Sequence, residues 1–291
     1  MRSRTSAEGR ASPPPLDPPR TGRRASIPSL VKWTGSKRSQ AHAIRSLFPV
    51  FRRYFEPFLG GGALLYLAGH PGAVAGDAYA PLVGLWERVR DRPGDVIGGY
   101  QAQWALLQER FPDHFYDVRA RFNREGDPLD LSFLMRTCVN GIVRFNAEGK
   151  FNNSFHLSRR GMEPARFAEV VGRWHARLDG VRLVAGDFEA TLSDAAAGDF
   201  VYLDPPYAGN RQRYAEDLAP ARLFGVLDGL NARGVRWALS FDGLRGGIDL
   251  THPVPRDLFR RHVYVHSGRS AVNKVLNGGG DAVRESLYLN Y

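Results

Sequence analysis

Short apolar runs recur along this chain, and each is followed within two residues by glycine, aspartate or proline. Tyr54-Phe55, Ala73 to Ala75, Val181 to Ala185, Phe200 to Leu203 and Val235 to Ser240 are of this kind, and each reads as a buried strand. The spacing changes between the fourth and fifth runs. Leu218, Leu223, Val226, Leu227 and Leu230 fall on one face of a helix. Strand and helix in turn predict an α/β fold, a mostly parallel sheet with helices on both faces. Leu258 to Val265 and Glu285 to Tyr291 read as closing strands, and no internal repeat is visible.

The rhythm breaks between residues 82 and 178. That span reads as several helices, one carrying Leu131, Leu134, Met135 and Val139, followed by a polar stretch rich in glycine and asparagine, Asn140 to His156. The expected organisation is therefore an α/β domain split over 30–81 and 179–291, with 82–178 inserted as a helical unit ending in a hairpin over 140–156. An insertion of this kind is a natural place for substrate recognition. Residues 1–29 hold six arginines against Glu8 and Asp17, six prolines and few large apolar residues, and read as a disordered basic arm.

Composition narrows the picture. A chain of 291 residues, 43% of them hydrophobic, buries a sizeable core. Its net charge of +10 favours a polyanionic partner, although basicity also serves solubility. One cysteine, Cys138, rules out a disulfide framework and a cysteine-based zinc site; within Leu131 to Val139 it reads as a buried thiol. The histidines are scattered without ligand spacing, so no metal is expected. No apolar run reaches the roughly 18 residues of a membrane span, and the first residues lack a signal-peptide core. A cytoplasmic protein is expected.

Three segments carry candidate chemistry. Glu56-Pro57-Phe58-Leu59-Gly60-Gly61-Gly62 joins a strand to a helix, where glycines let a ligand approach the backbone; an ordinary tight turn reads the same way. Asp77 ends the next strand, placed to accept hydrogen bonds from ribose hydroxyls or simply to cap a helix. Asp204-Pro205-Pro206-Tyr207 closes the fourth strand. An exocyclic amine on an aromatic base is a poor nucleophile, because its lone pair is delocalised into the ring. A carboxylate and a proline carbonyl can accept its two N–H groups and favour a tetrahedral nitrogen, while a tyrosine ring stacks on the base. Attack on an activated methyl group then depends on positioning and electrostatics. A rigid turn after a strand is the bland alternative.

With Lys32-Trp33-Thr34-Gly35-Ser36-Lys37, these segments resemble the Dam-type adenine-N6 DNA methyltransferases. The likeness continues through Asn140-Gly141-Ile142-Val143-Arg144-Phe145-Asn146 and Gly149-Lys150-Phe151-Asn152, which is similar to that family's DNA-facing hairpin, and it keeps the motif order from about Leu30 to Tyr291. Ser36 stands where the family usually has a second glycine. The resemblance implies a Rossmann-like methyltransferase sheet with a target-recognition insertion, S-adenosyl-L-methionine as cofactor and a flipped adenine in double-stranded DNA as substrate. It places Trp33 and Lys37 over the cofactor, Glu56, Pro57, Phe58, Gly60 and Gly62 around its methionine part, Asp77 at its ribose, and Asp187 and Phe188 beside its adenine. Asp204 adjoins both the methionine amine and the target base, with Pro205, Pro206 and Tyr207 completing the catalytic turn. Asn140, Arg144, Asn146, Lys150 and Asn152 become candidates for DNA contacts, and a restriction endonuclease acting on the same site a candidate partner. Cytosine-N4 methylation, an RNA or protein-amide methylase, and a catalytically silent DNA-binding protein of the same fold are the rivals.

Overall fold

The computed structural model describes residues 26–158, 160–206, 218–245, 248–249, 253–269 and 282–291. Most of the expected basic arm, and Tyr207 of the catalytic turn, lie outside them. The main path of the sheet runs β3-β2-β1-β4-β5-β8-β7, with β6 pairing to β5. The parallel half comprises β1 (Tyr54–Glu56), β2 (Val74–Asp77), β3 (Arg182–Ala185), β4 (Phe200–Leu203) and the start of β5 (Arg236–Arg245). β6 (Ile248–Asp249), β7 (Arg261–Arg269) and β8 (Ala282–Leu289) complete it with antiparallel pairings.

The apolar runs are continuous because the parallel strands are buried on both faces. Phe55, Val74, Val201 and Leu203 point to one side, against Leu223, Leu227 and Leu230 of α9 (Pro220–Ala232). Tyr54, Ala75, Phe200 and Tyr202 point to the other. There the core continues into α3 (Ala80–Asp91), α4 (Pro93–Glu109), α5 (Asp113–Glu125), α6 (Pro128–Thr137) and α7 (Pro164–Leu178). Trp86 of α3 meets Trp174 of α7 with ring centroids 4.5 Å apart. α6 starts sharply because Asp127 accepts hydrogen bonds from the Leu129 and Asp130 amides and Pro128 presets the first turn. Two short helices, α1 (Ala41–Arg45) and α2 (Ala63–Ala68), precede this group, and α8 (Phe188–Thr191) follows β3.

The closing strands differ from their expected bounds. Leu258 does not open a strand: its amide donates to Pro255 O in a turn, and its side chain is buried in the α9 core. β7 therefore starts only at Arg261. β5 runs beyond Ser240 to Arg245, its pairing with β8 interrupted by a bulge between Phe241 and Leu244.

After α6 the chain forms a two-stranded ribbon, with antiparallel bridges Cys138–Phe155 and Phe145–Phe151. Val143, Phe145, Phe151, Asn153 and Phe155 point inward, whereas Ile142, Arg144, Asn152 and Ser154 alternate with them and point outward. Cys138 is buried at its base.

Candidate functional site

Strand order reverses at β1, which has β2 on one side and β4 on the other. In open α/β sheets the crevice beyond the carboxyl ends of strands at such a reversal is where ligands bind. A cleft of about 560 Å³ lies there. All the residues assigned above to a cofactor line it, and so do Pro205 and Pro206.

Its floor is the turn after β1. Gly60 and Gly62 adopt left-handed φ of 46° and 66°. A Cβ on Gly60 would come within 2.9 Å of the Trp33 ring, and one on Gly62 within 3.0 Å of Trp174. Both conformation and space therefore demand glycine at these two positions. Ser36 keeps φ −52° and ψ 124°, a conformation open to any L-residue, so replacing a glycine there leaves the local backbone intact. Asp77 ties two turns together by accepting the Gly60 amide at 3.0 Å and the Tyr79 amide at 3.0 Å. It thus serves the start of α3 while lining the cleft. Burial pushes its carboxyl up, and those N–H groups oppose the rise.

Phe58 and Phe188 stack with centroids 5.3 Å apart and form an apolar wall. Asp187 caps α8 through the Glu189 amide and pairs with Arg222 at 2.7 Å. Burial pushes the Asp187 carboxyl up, but the Arg222 hydrogen bond and charge together with the Glu189 amide outweigh it and hold the group below its ordinary range. Arg222 also lies over the Phe188 ring at 4.9 Å and lines the cleft, a role that no local motif announced.

A buried charge cluster forms the inner end. Lys37 Nζ lies 2.7 Å from Asp204 Oδ1 and 3.4 Å from Glu285 Oε2. It also donates to Gly35 O at 3.2 Å. Burial pulls the Lys37 ammonium down, but the carboxylates of Asp204 and Glu285 prevail and hold it above the ordinary lysine range. Tyr54 donates to Glu56 Oε2 at 2.8 Å. Burial, aided by the nearby Asp204 charge, pushes Glu56 up to about 8, so that it holds its proton at neutral pH. Both carboxyl groups line the cleft, Asp204 paired with Lys37 and Glu56 holding the Tyr54 hydroxyl. Glu285 reaches the cluster from β8, far away in sequence, with only a closing-strand pattern to mark it.

The residues expected to touch DNA lie outside the cleft, on the ribbon. Arg144 and Asn152 sit side by side on its exposed face, Arg144 Nε donating to Asn152 Oδ1 at 3.1 Å. Asn140 occupies a left-handed conformation with φ 56° in the turn that opens the ribbon. The Asn146 side-chain oxygen accepts the Glu148 and Lys150 amides and so shapes the far turn. Lys150 pairs with Glu148 at 3.2 Å. Asn153, which sequence reasoning passed over, is buried and donates to Val139 O and Ile142 O, bracing the ribbon from inside. From α5, the Asn123 amide donates to Phe151 O at 3.0 Å and accepts the Phe151 amide at 2.8 Å. Among the described residues no group of three His, Cys, Asp or Glu side chains is placed to hold a metal ion, and no helix is long and apolar enough to cross a membrane.

Comparison with known proteins agrees with this geometry. The chain is 28% identical over 189 residues to a type II methyltransferase of Lactococcus lactis subsp. cremoris, covering 61% of this chain and 65% of that protein. It is 30% identical over 187 residues to the DNA adenine methylase of Serratia marcescens, covering 62% and 67%. A DNA N-6-adenine-methyltransferase of an Escherichia phage is 27% identical over 246 residues, covering 77% of this chain but 31% of the phage protein. The chain thus spans less than two thirds of some of the relatives it matches. The sequence profile of the D12 class N6 adenine-specific DNA methyltransferases matches residues 33–225, from the tryptophan over the glycine turn to the first turns of α9. The chain belongs to that family.

Proposed function

We propose that this protein transfers a methyl group from S-adenosyl-L-methionine to the exocyclic amine of a flipped adenine in double-stranded DNA. The observation that carries the reading is the convergence of Asp204, Pro205 and Pro206 on the same cleft as the glycine turn and Asp77. The cleft fits such a cofactor. Its volume suits a nucleoside-sized ligand, its glycine turn excludes side chains where a ligand would approach, and its inner end offers carboxyl groups to cationic ones. Glu56, Pro57, Phe58, Gly60 and Gly62 would hold the methionine part, with Trp33 and Lys37 above it. Asp77 would hold the ribose, and Asp187 and Phe188 the adenine. When bound, the cofactor supplies a methyl group on a cationic sulfur.

Asp204 and the carbonyl at Pro205 would accept the two N–H groups of the target amine and direct its lone pair at the methyl carbon. The methyl group would pass from sulfur to nitrogen with the C–S electron pair remaining on sulfur, and Asp204, already hydrogen-bonded to the amine, would accept the proton that the nitrogen gives up. The prolines keep competing donors away from the amine. Tyr207 is proposed to stack on the flipped base. Flipping costs a few kcal/mol, which backbone and pocket contacts offset.

Residues 82–178 are proposed as the target-recognition unit. Arg144 and Asn152 would read base edges from the exposed face of the ribbon, Lys150 would meet phosphates, and Asn140 and Asn146 would shape the turns that present them. A restriction endonuclease specific for the same site is the proposed partner in a restriction-modification pair, and the cytoplasm the proposed location. The direct test is transfer of a tritiated methyl group to duplex DNA by the wild type and by Asp204→Ala. We expect incorporation by the wild type and loss of it in a variant that melts normally; a folded Asp204→Ala with near wild-type turnover would refute the mechanism.

A further inference from the structure

The Lys37 ammonium shares the carboxylate that is proposed to hold the target amine. It lies 2.7 Å from Asp204 Oδ1, with only 4% of its side chain exposed. An amine arriving at Asp204 competes with the ammonium for the same negative charge and draws the two apart. A buried cation cannot be left without a counter-charge, because the cost of an unpaired buried ion exceeds what the incoming amine returns.

A second carboxylate is within reach. Glu285 Oε2 is 3.4 Å from Lys37 Nζ, beyond ordinary hydrogen-bond length for this pair. That oxygen is buried and accepts no hydrogen bond among the described residues. Its strand is held in the sheet, Glu285 in register with Val265 of β7 and Ser286 with both Tyr264 and Phe241, while the β5 bulge lies opposite Glu285. A shift of roughly half an ångström by the flexible lysine end would complete a charge-assisted bond to Glu285. Such a shift weakens the contact to Asp204 without exposing or stranding a charge.

We infer that Glu285 is a positioning residue for methyl transfer: it is the second seat of the Lys37 ammonium, taking it up as the target amine engages Asp204. The inference rests on the adenine-methylation reading. Glu285 touches neither reacting group and acts only through Lys37.

The test is single-turnover methylation of saturating duplex DNA by the full-length protein with tritiated donor. Glu285→Gln keeps the shape and removes the charge. We expect its transfer rate to fall by about tenfold or more while the dissociation constants for donor and DNA stay within about twofold of wild type. In a Lys37→Gln background the same change should add less than about a twofold loss, because the two residues act as one unit. If Lys37→Gln alone is silent, the single variant decides. If Glu285→Gln melts well below wild type, Glu285→Asp replaces it, with slower transfer at unchanged affinities as the supporting result. A rate within twofold of wild type, or equal losses in both backgrounds, overturns the inference. A wild type that methylates no adenine would defeat the underlying reading instead.

Discussion

The cleft and the ribbon hold their functional side chains in opposite ways. In the cleft the polar groups hold one another: Lys37 is bracketed by Asp204 and Glu285, Glu56 takes the Tyr54 hydroxyl, and Asp77 gathers two backbone amides. Burial makes each of these contacts expensive to break without a replacement partner, so a group in the cleft moves only by exchanging one partner for another. On the ribbon the candidate readers Arg144 and Asn152 are exposed, and order comes from beneath, from Phe145, Phe151 and Asn153 and from the Asn123 clamp. Chemistry that must be identical in every turnover is preorganised by charge. In the proposed reading, recognition is carried by exposed side chains on a braced backbone.

The sharpest way to separate the two regions is to remove the ribbon's support. Phe151 is buried at 1% exposure and meets Phe122 and Phe145 edge-on, with centroids 6.2 and 6.0 Å away. Phe151→Ala should cost about 3–5 kcal/mol of stability by denaturant unfolding. At temperatures where the variant is still folded, donor affinity by calorimetry should be retained while DNA-site preference collapses. Equal loss of both would show that the regions are not independent.

A smaller effect is expected from the reader itself. The Arg144 guanidinium can make two parallel bonds to a guanine edge, worth roughly 1–3 kcal/mol of discrimination. Arg144→Ala should therefore slow methylation of the preferred site far more than of near-match sites. A uniform fall would make Arg144 a phosphate contact.

A further contrast concerns the cleft's ionisation. Glu56 ordinarily titrates near 4.5, and burial raises it to about 8 in the fold. Between those values the folded state binds more protons than the unfolded one, so stability from this group falls as pH rises from about 4.5 to about 8. Glu56→Gln should flatten that decline in thermal midpoints. A decline identical to wild type would mean that Glu56 is already ionised.

Much of this arrangement is visible in sequence because it is local. A strand that runs into Gly60 to Gly62, or into Asp204-Pro205-Pro206, declares both its end and its chemistry within a few residues. The ribbon is marked less directly, by its glycines and asparagines, since the alternation of buried and exposed positions from Gly141 to Phe145 and from Phe151 to Phe155 belongs to the fold, with Ile142 outward and Asn153 inward. What stays hidden is pairing at a distance. Nothing near Lys37 announces Glu285, and nothing near Asp187 announces Arg222, since each pair is brought together only by sheet order and by the α9 crossover. The start of β7 was hidden for a different reason. Leu258 has the apolar character of a strand residue but spends it on plugging the core from a turn.

The central claim is that the cleft methylates adenine at N6 in DNA. Its most direct test is to express the protein in cells lacking their own DNA methylases and to identify modified bases in the recovered DNA at single-base resolution. The account predicts N6-methyladenine confined to one short sequence. N4-methylcytosine at such a site, or unmodified DNA from cells containing the folded protein, would contradict it.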